Sequence, residues 1–515
     1  MMRRGLIALL SVGLVTAALL EASAADRRFA VVVGFNGSDD PELEHLAYAD
    51  DDAMRYSQLL GHVAERVELL TELDEESRAL WGTTTTKLPT RDGVMNAIRD
   101  VRREMAKARA EGDRPILYFV YSGHGNYDAE GKGYVHLHDG RFTTRDLYGH
   151  VIGSGSSEEP VVLIVDACNA SLLVHSRGSR RRRVASTSLK LENYPHVGVI
   201  LASSSVGETH EWGKYLSGIF SHEVRSGLLG PADVDDDGRI TFAELAAFVA
   251  SANAQVTNPT VRVTPYIRPP LAAPGLALID LNTARFPARV RIEGEVAGKA
   301  HLVNSDLLRV ADFNRARGHS FWLAIPEGST HALVHKDVEY VVPPDARGEL
   351  GLADLDRRER ARVSSRGAGS RYFERTLFQE SYGTEVARKY LEDEYVQDLE
   401  VIRYEALPWY HNGKAWATVS AGLAALATGG ALHAQAVDTR DRALSSPWAS
   451  ERARLNGEIE RYESSAWLAA GVGTAALLGG ALWFTLDVPL TEERYQPPLR
   501  VQLGPNGVKL EASFD

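Results

Sequence analysis

The chain has 515 residues, 44% hydrophobic and 24% charged, an ordinary globular composition with length for about two to four domains. Its formal net charge of −12 excludes a general nucleic-acid binder, which needs a basic footprint. A single cysteine, Cys168, leaves no disulfide framework to read.

The chain opens MMRRGLIALLSVGLVTAALLEASAAD. Arg3 and Arg4, an apolar run over 6–20 and Ala22-Ser23-Ala24 follow the order of a secretory signal peptide, predicted over residues 1–25. Export places the remainder in an oxidising compartment, where an odd cysteine bonds another chain or stays free and reactive.

From residue 28 the pattern is α/β. RFAVVVGFN (28–36) reads as a buried strand, residues 45–63 as a helix and ERVELLTE (65–72) as a second strand. Residues 90–112 form a long amphipathic helix closing on Gly112. The apolar runs RPILYFVYSGHG (114–125), EPVVLIVDACNAS (159–171) and HVGVILASSS (196–205) each end in small and polar residues. Strands alternating with helices predict a mostly parallel sheet flanked by helices, with chemistry gathered beyond the carboxyl ends of its strands. His124, Cys168 and the segment Ser203–Glu208 all fall at such ends.

Cys168 follows its strand among Asp166, Asn169 and Ser171, at an edge a substrate can reach, rather than inside the apolar run. A thiol with a pKa of about 8.5 is mostly protonated at neutral pH and needs a base beside it. His124 is the candidate. Gly123 and Gly125 flank it, and the Gly125 N–H joins that of Cys168 as a candidate oxyanion donor.

YSGHG (121–125) and DACNAS (166–171) together resemble the His and Cys motifs of the caspase-like cysteine peptidases, the bacterial relatives of metacaspases most closely. The resemblance covers roughly residues 28–270. It implies a Cys–His dyad, with Cys168 as nucleophile, His124 as base and Gly125 in the oxyanion site. Animal caspases carry glutamine two residues before the nucleophile and accept aspartate at P1; this chain has Asp166 there, as metacaspases do. ADDDAMRY (49–56) resembles the metacaspase segment that puts Asp52 at a second carboxylate of the S1 pocket, and Glu208 is a further candidate wall. The expected substrate is a protein or peptide with a basic P1 residue. Asn169 stands where the family commonly has histidine. The arginine run HSRGSRRRRVAS (175–186) is a candidate self-cleavage site or a solvated basic loop.

ADVDDDGRITFAEL (232–245) fits a twelve-residue EF-hand loop. Asp233, Asp235 and Asp237 take places 1, 3 and 5, Gly238 the turn, Arg239 the carbonyl place, Thr241 the ninth and Glu244 the twelfth. Calcium is the expected ion, structural or activating.

Residues 271–365 read as a linker followed by a small all-β module, and 366–412 as a charged, partly helical segment. The apolar runs 415–434 and 466–486 are each long enough to cross a hydrocarbon core of about 30 Å, predicting a two-helix membrane hairpin over 413–488. Gly471, Ala475 and Gly479 recur at the spacing that lets helices approach closely. Five arginines between the runs place that loop in the cytoplasm and both ends of the hairpin outside. Residues 489–515 read as a β-hairpin tail turning at Pro505-Asn506-Gly507. The resulting expectation is an exported peptidase domain (26–270) tethered to the extracytoplasmic face of the membrane. The alternative is an inactive caspase-like fold acting as a calcium-stabilised binding module.

Overall fold

The structure, a computed structural model, describes residues 25–512 except 42, 83, 130, 175–192, 204–210, 259–261, 295–296, 360–367, 393–400, 407–409, 411, 487–489, 496–498 and 505–506. The expected signal peptide up to residue 24, the arginine run at 175–186 and Glu208 lie outside the described residues. The chain divides into two compact units, Met1–Asp398 with Pro498–Asp515, and Leu399–Pro497.

The first unit is built on six strands: β1 (Asp26–Phe35), β2 (Ala64–Thr71), β3 (Arg114–Gly123), β4 (Val161–Asp166), β5 (Val197–Ser203) and β6 (Thr264–Arg268). Their order is β6-β5-β4-β3-β1-β2. The five strands from β5 to β2 pair in parallel, and β6 closes the edge antiparallel to β5. The central runs Val31–Val33, Ile116–Tyr121 and Val161–Val165 are buried throughout, as strands covered on both faces must be.

Helix α1 (Ala49–Gly61) packs on β1 and β2, and α2 (Arg91–Ala110) on β1 and β3. The Thr90 side chain accepts the Gly93 N–H to start α2, which buries Val94, Ala97, Ile98, Val101, Met105 and Ala108 along one face. Helix α1 begins later than its sequence pattern suggests. The Glu211 carboxylate accepts the N–H groups of Ala47 and Tyr48, holding that segment outside the helix. Helices α3 (Ile219–Leu228) and α4 (Phe242–Ala252) complete the layer that surrounds the sheet.

The expected linker contains a strand. Ala277–Asp280 pairs antiparallel with Arg239–Thr241 of the acidic loop, and Leu276 to Ile279 are buried. Beyond it lie a three-stranded and a five-stranded sheet. The strands expected of the β module are there, Arg309–Arg315 among them. These strands are not a free-standing module. Ala324 N–H donates to Leu229 O at 2.8 Å, His222 meets Asp312 at 3.0 Å, and one continuous apolar core runs through both. In the tail, Leu499–Gly504 pairs with Gly507–Ala512 as a hairpin.

In the second unit the helices Gly413–Ser445 and Ala449–Leu486 pack along each other. Both are long and apolar enough to cross a membrane. Their contact differs from the expected one. Gly471 and Gly479 face open space. The seam instead uses small residues seven apart: Ala415, Gly422, Gly429, Ala436 and Ala443 are buried on one helix, and Ile459, Ala466, Gly473 and Gly480 on the other. A Cβ on Gly422 would lie 2.9 Å from the Gly473 carbonyl oxygen, and one on Gly473 2.8 Å from that of Gly422. A seven-residue repeat keeps one face on its partner along both helices, as in a coiled coil.

Candidate active site

Strands β3 and β4 run in parallel register to the pair Ser122↔Asp166. His124 and Cys168 each lie two residues beyond that pair, so both leave the sheet at the same level. Their backbones also meet. A Cβ on Gly125 would collide with the Cys168 carbonyl oxygen and come within 3.1 Å of the Ala167 Cβ. Only glycine lets the chain after His124 pass this close to the chain around Cys168. Gly123, at φ +151°, has a second constraint: a Cβ there would lie 2.7 Å from Phe35 O.

His124 is buried, and its Nε2 lies 2.8 Å from the Glu44 carbonyl oxygen. A carbonyl only accepts, so Nε2 carries the proton and Nδ1 keeps the lone pair. Burial is the main cause that lowers the His124 pKa, against the hydrogen bond to Glu44, which raises it; His136 lowers it further. The His136 ring packs edge-on at 6.1 Å, with its Nδ1 2.5 Å from Asp39 Oδ1. The Tyr121 hydroxyl lies 3.0 and 2.8 Å from the carbonyl oxygens of His124 and His136, tying the two segments together behind the site. Cys168 is buried, and Asn169 after it adopts φ +56°, a conformation asparagine tolerates better than most residues.

Asp52 and Asp166 do come together. A Cβ on Gly218 would lie 2.7 Å from Asp166 Oδ2 and 3.1 Å from Asp52 Oδ2. Asp52 Oδ1 accepts from Arg225 Nη1 at 2.8 Å and from the Ser217 hydroxyl at 2.5 Å, and its Oδ2 accepts the Gly218 N–H at 2.9 Å. Arg225 and Asp52 form a buried ion pair. Asp166 accepts from the Ser221 hydroxyl at 2.6 Å and the Ser221 N–H at 3.1 Å. Burial, and then the neighbouring Asp52, push the Asp166 pKa up to about 7. Sequence reasoning found both acids but missed Ser217, Gly218, Ser221 and Arg225, which hold them. The Arg225–Asp52 pair joins residues 173 apart, for which the sequence carries no local signal.

In the acidic loop, one carboxylate oxygen from each of Asp233, Asp235 and Asp237 lies within 4.8 Å of the others. Gly238 takes φ +79°, and its N–H donates to Asp233 Oδ2 at 2.9 Å. Glu244 reaches back, accepting the Val234 N–H at 3.1 Å and the Thr241 N–H at 2.9 Å. Thr241 and Glu244 form the capping box that starts α4. Asn282 Nδ2 donates to Asp237 O at 2.9 Å, bracing the turn from the following strand. Burial raises Asp233 to about 6 and Glu244 to about 7. Of these carboxylates Asp233 and Glu244 are buried and Asp235 and Asp237 exposed, and clustered carboxylate oxygens of this kind are donors a hard divalent cation takes.

A caspase-domain family model matches residues 27–260, a little under half of the chain. No curated protein matches. Among solved structures, one titled "structure of pro-sf-caspase-1" is similar at 12% identity, over 48% of this chain and 92% of that one, with a TM-score of 0.30.

Proposed function

We propose, from the premise that residues 27–260 belong to the caspase-domain family, that this chain is a Cys–His endopeptidase. The observation that carries the reading is the shared register of His124 and Cys168, with His124 Nε2 engaged by Glu44 O and Nδ1 left to act.

In the proposed mechanism, Nδ1 of His124 takes the Cys168 thiol proton, and the thiolate attacks the scissile carbonyl carbon. The N–H groups of Gly125 and Cys168 stabilise the oxyanion that forms. The imidazolium returns the proton to the departing amine, leaving an acyl-enzyme on Cys168. His124 then deprotonates a water that attacks the thioester, the product acid departs and the thiol is restored.

Preference for Arg or Lys at P1 is supported by the meeting of Asp52 and Asp166 at Gly218. Arg225 already neutralises Asp52, and Asp166, which holds its proton to about pH 7, would ionise as a cationic side chain binds beside it. Asp233, Asp235, Asp237, the Arg239 carbonyl, Thr241 and Glu244 would hold calcium, which supplies positive charge that keeps the loop's carboxylates ionised together. Self-cleavage at 175–186 follows from the same preference for arginine. Two apolar helices tether the chain to a membrane; the five arginines expected in a loop lie on the adjoining ends of these helices, and that arginine-bearing end is cytoplasmic with the peptidase domain outside.

The test is hydrolysis of matched peptides with Arg, Lys or Asp at P1 by the full chain in detergent, with and without calcium, beside Cys168→Ala. Arg or Lys cleavage lost in the variant supports the reading. Cleavage after Asp keeps the peptidase and overturns the basic preference. No cleavage, with Cys168 inert to iodoacetamide, overturns the peptidase and leaves an inactive binding module.

A further inference from the structure

On the first unit, away from Cys168 in sequence, a cleft of about 380 Å³ opens between the segment that follows β5 and the later strands. Its size is at the lower end for small-molecule sites and too small for a folded segment. Four cations line it, Lys214, Lys299, Arg309 and Lys336, against two carboxylates, Asp312 and Glu374. The protein as a whole carries −12, so a positive cleft runs against its overall charge.

Both carboxylates are already engaged. Glu374 pairs with Lys214, and Asp312 with Arg309 and with the buried His222. Two positive charges remain, on Lys299 and Lys336. The Lys299 ammonium donates to the carbonyl oxygens of Glu374 at 3.2 Å and Leu377 at 2.8 Å. An ammonium has three donors, so one is left for a ligand. Burial is the main cause that lowers the Lys299 pKa to about 8, so an anion beside it would favour its charged form. Lys336 stands exposed at the rim.

Apart from His301, the rest of the wall is aromatic or aliphatic. Trp212 and Phe373 lie with ring centroids 5.5 Å apart, and Trp212 meets Tyr215 edge-on at 4.4 Å. Ala300, Val334 and Leu377 complete that side. Two surplus positive charges suit a dianion, and an aromatic side suits a flat apolar body.

We propose that this cleft binds a small phosphate monoester carrying a planar ring, its phosphate on Lys299 and Lys336 and its ring against Phe373 and Trp212. A phosphate monoester carries about −1.5 to −2 charge at neutral pH, matching the surplus. The proposal is independent of peptidase activity.

The test is calorimetric titration of the full chain in detergent with AMP, adenosine and inorganic phosphate. AMP is expected to bind, adenosine not to bind, and inorganic phosphate to bind more weakly than AMP. Lys336→Glu, at an exposed position, is expected to weaken AMP binding by about tenfold or more, the loss of one charge-assisted contact. Lys299→Gln is expected to do the same, with circular dichroism checking its fold. Failure of AMP to bind at millimolar concentration overturns the proposal, as does unchanged affinity in Lys336→Glu. Phosphate binding as tightly as AMP overturns the ring contact.

Discussion

The carboxylates of Asp52 and Asp166 converge on the space beside Gly218 that a Cβ would fill, yet they are neutralised differently. Asp52 is bonded by Arg225, while Asp166 rests on the hydroxyl and N–H of Ser221. Two buried acids at one point are tolerable because one has a guanidinium and the other holds its proton to about pH 7.

Removing the guanidinium should therefore be costly. Arg225→Ala leaves Asp52 buried with no ion-pair partner, a change expected to cost about 3–5 kcal/mol. Asp52→Asn combined with Arg225→Met should recover much of that loss. Urea denaturation of the full chain in detergent measures both, and an Arg225→Ala protein as stable as the parent would contradict the buried pair.

Asp166 gives stability a pH slope of known sign. Its folded pKa is raised above the ordinary 3.8 to about 7, so the folded state binds more protons across that interval. Stability from this group is fully present below about pH 4 and declines as pH rises to about 7, by up to about 1.4 kcal/mol per pH unit. Asp166→Asn should flatten the profile between pH 4 and 7 relative to the parent. An unchanged slope would show that Asp166 is not the titrating group.

For His124 the sign favours the base. Its pKa is lowered by burial, so the neutral imidazole persists to more acid pH than an ordinary histidine at about 6.5. The acid limb of kcat/KM is expected below that value. His124→Ala should remove that limb and reduce the rate by about 10²-fold or more. A limb above pH 6.5 in the parent would conflict with the buried setting.

Calcium should raise the melting temperature of the full chain, and a chelator should reverse the gain. Asp233→Ala removes the loop's most buried carboxylate and is expected to abolish the response. A shift of equal size in parent and variant would place the ion elsewhere.

In the helical hairpin, Gly473→Leu and Gly479→Leu should part company. The first drives a side chain into the Gly422 carbonyl and is expected to lower the melting temperature in detergent micelles; the second enters open space and should change it little. Equal effects would mean that the seam is not the seven-residue one.

The pattern of strands, and the placement of His124 and Cys168 at their ends, were legible because a parallel sheet writes itself as short apolar runs cut off by glycine and polar residues. The S1 candidates Asp52 and Asp166 were legible only through resemblance. Arg225 was not, because its partner is fixed by how α3 meets α1, and helix docking leaves no spacing in the sequence. The hairpin seam misled for another reason. Gly471 and Gly473, like Gly479 and Gly480, offer alternative small-residue faces, and only the phase of the opposing Gly422 and Gly429 selects between them. The strand Ala277–Asp280 was hidden by its setting after Pro269, Pro270 and Pro274, residues that read as a linker.

The register Ser122↔Asp166 also ties chemistry to the history of the chain. Sliding β3 against β4 by one residue would carry His124 about 3.3 Å along the strand away from Cys168 and turn the side chains to the other face. Parallel neighbours this far apart in sequence come together only after the intervening segment has folded across, a slow, non-local event. A nascent chain thus holds a thiol of ordinary reactivity beside no base. The rate at which Cys168 reacts with iodoacetamide becomes a clock for completed folding.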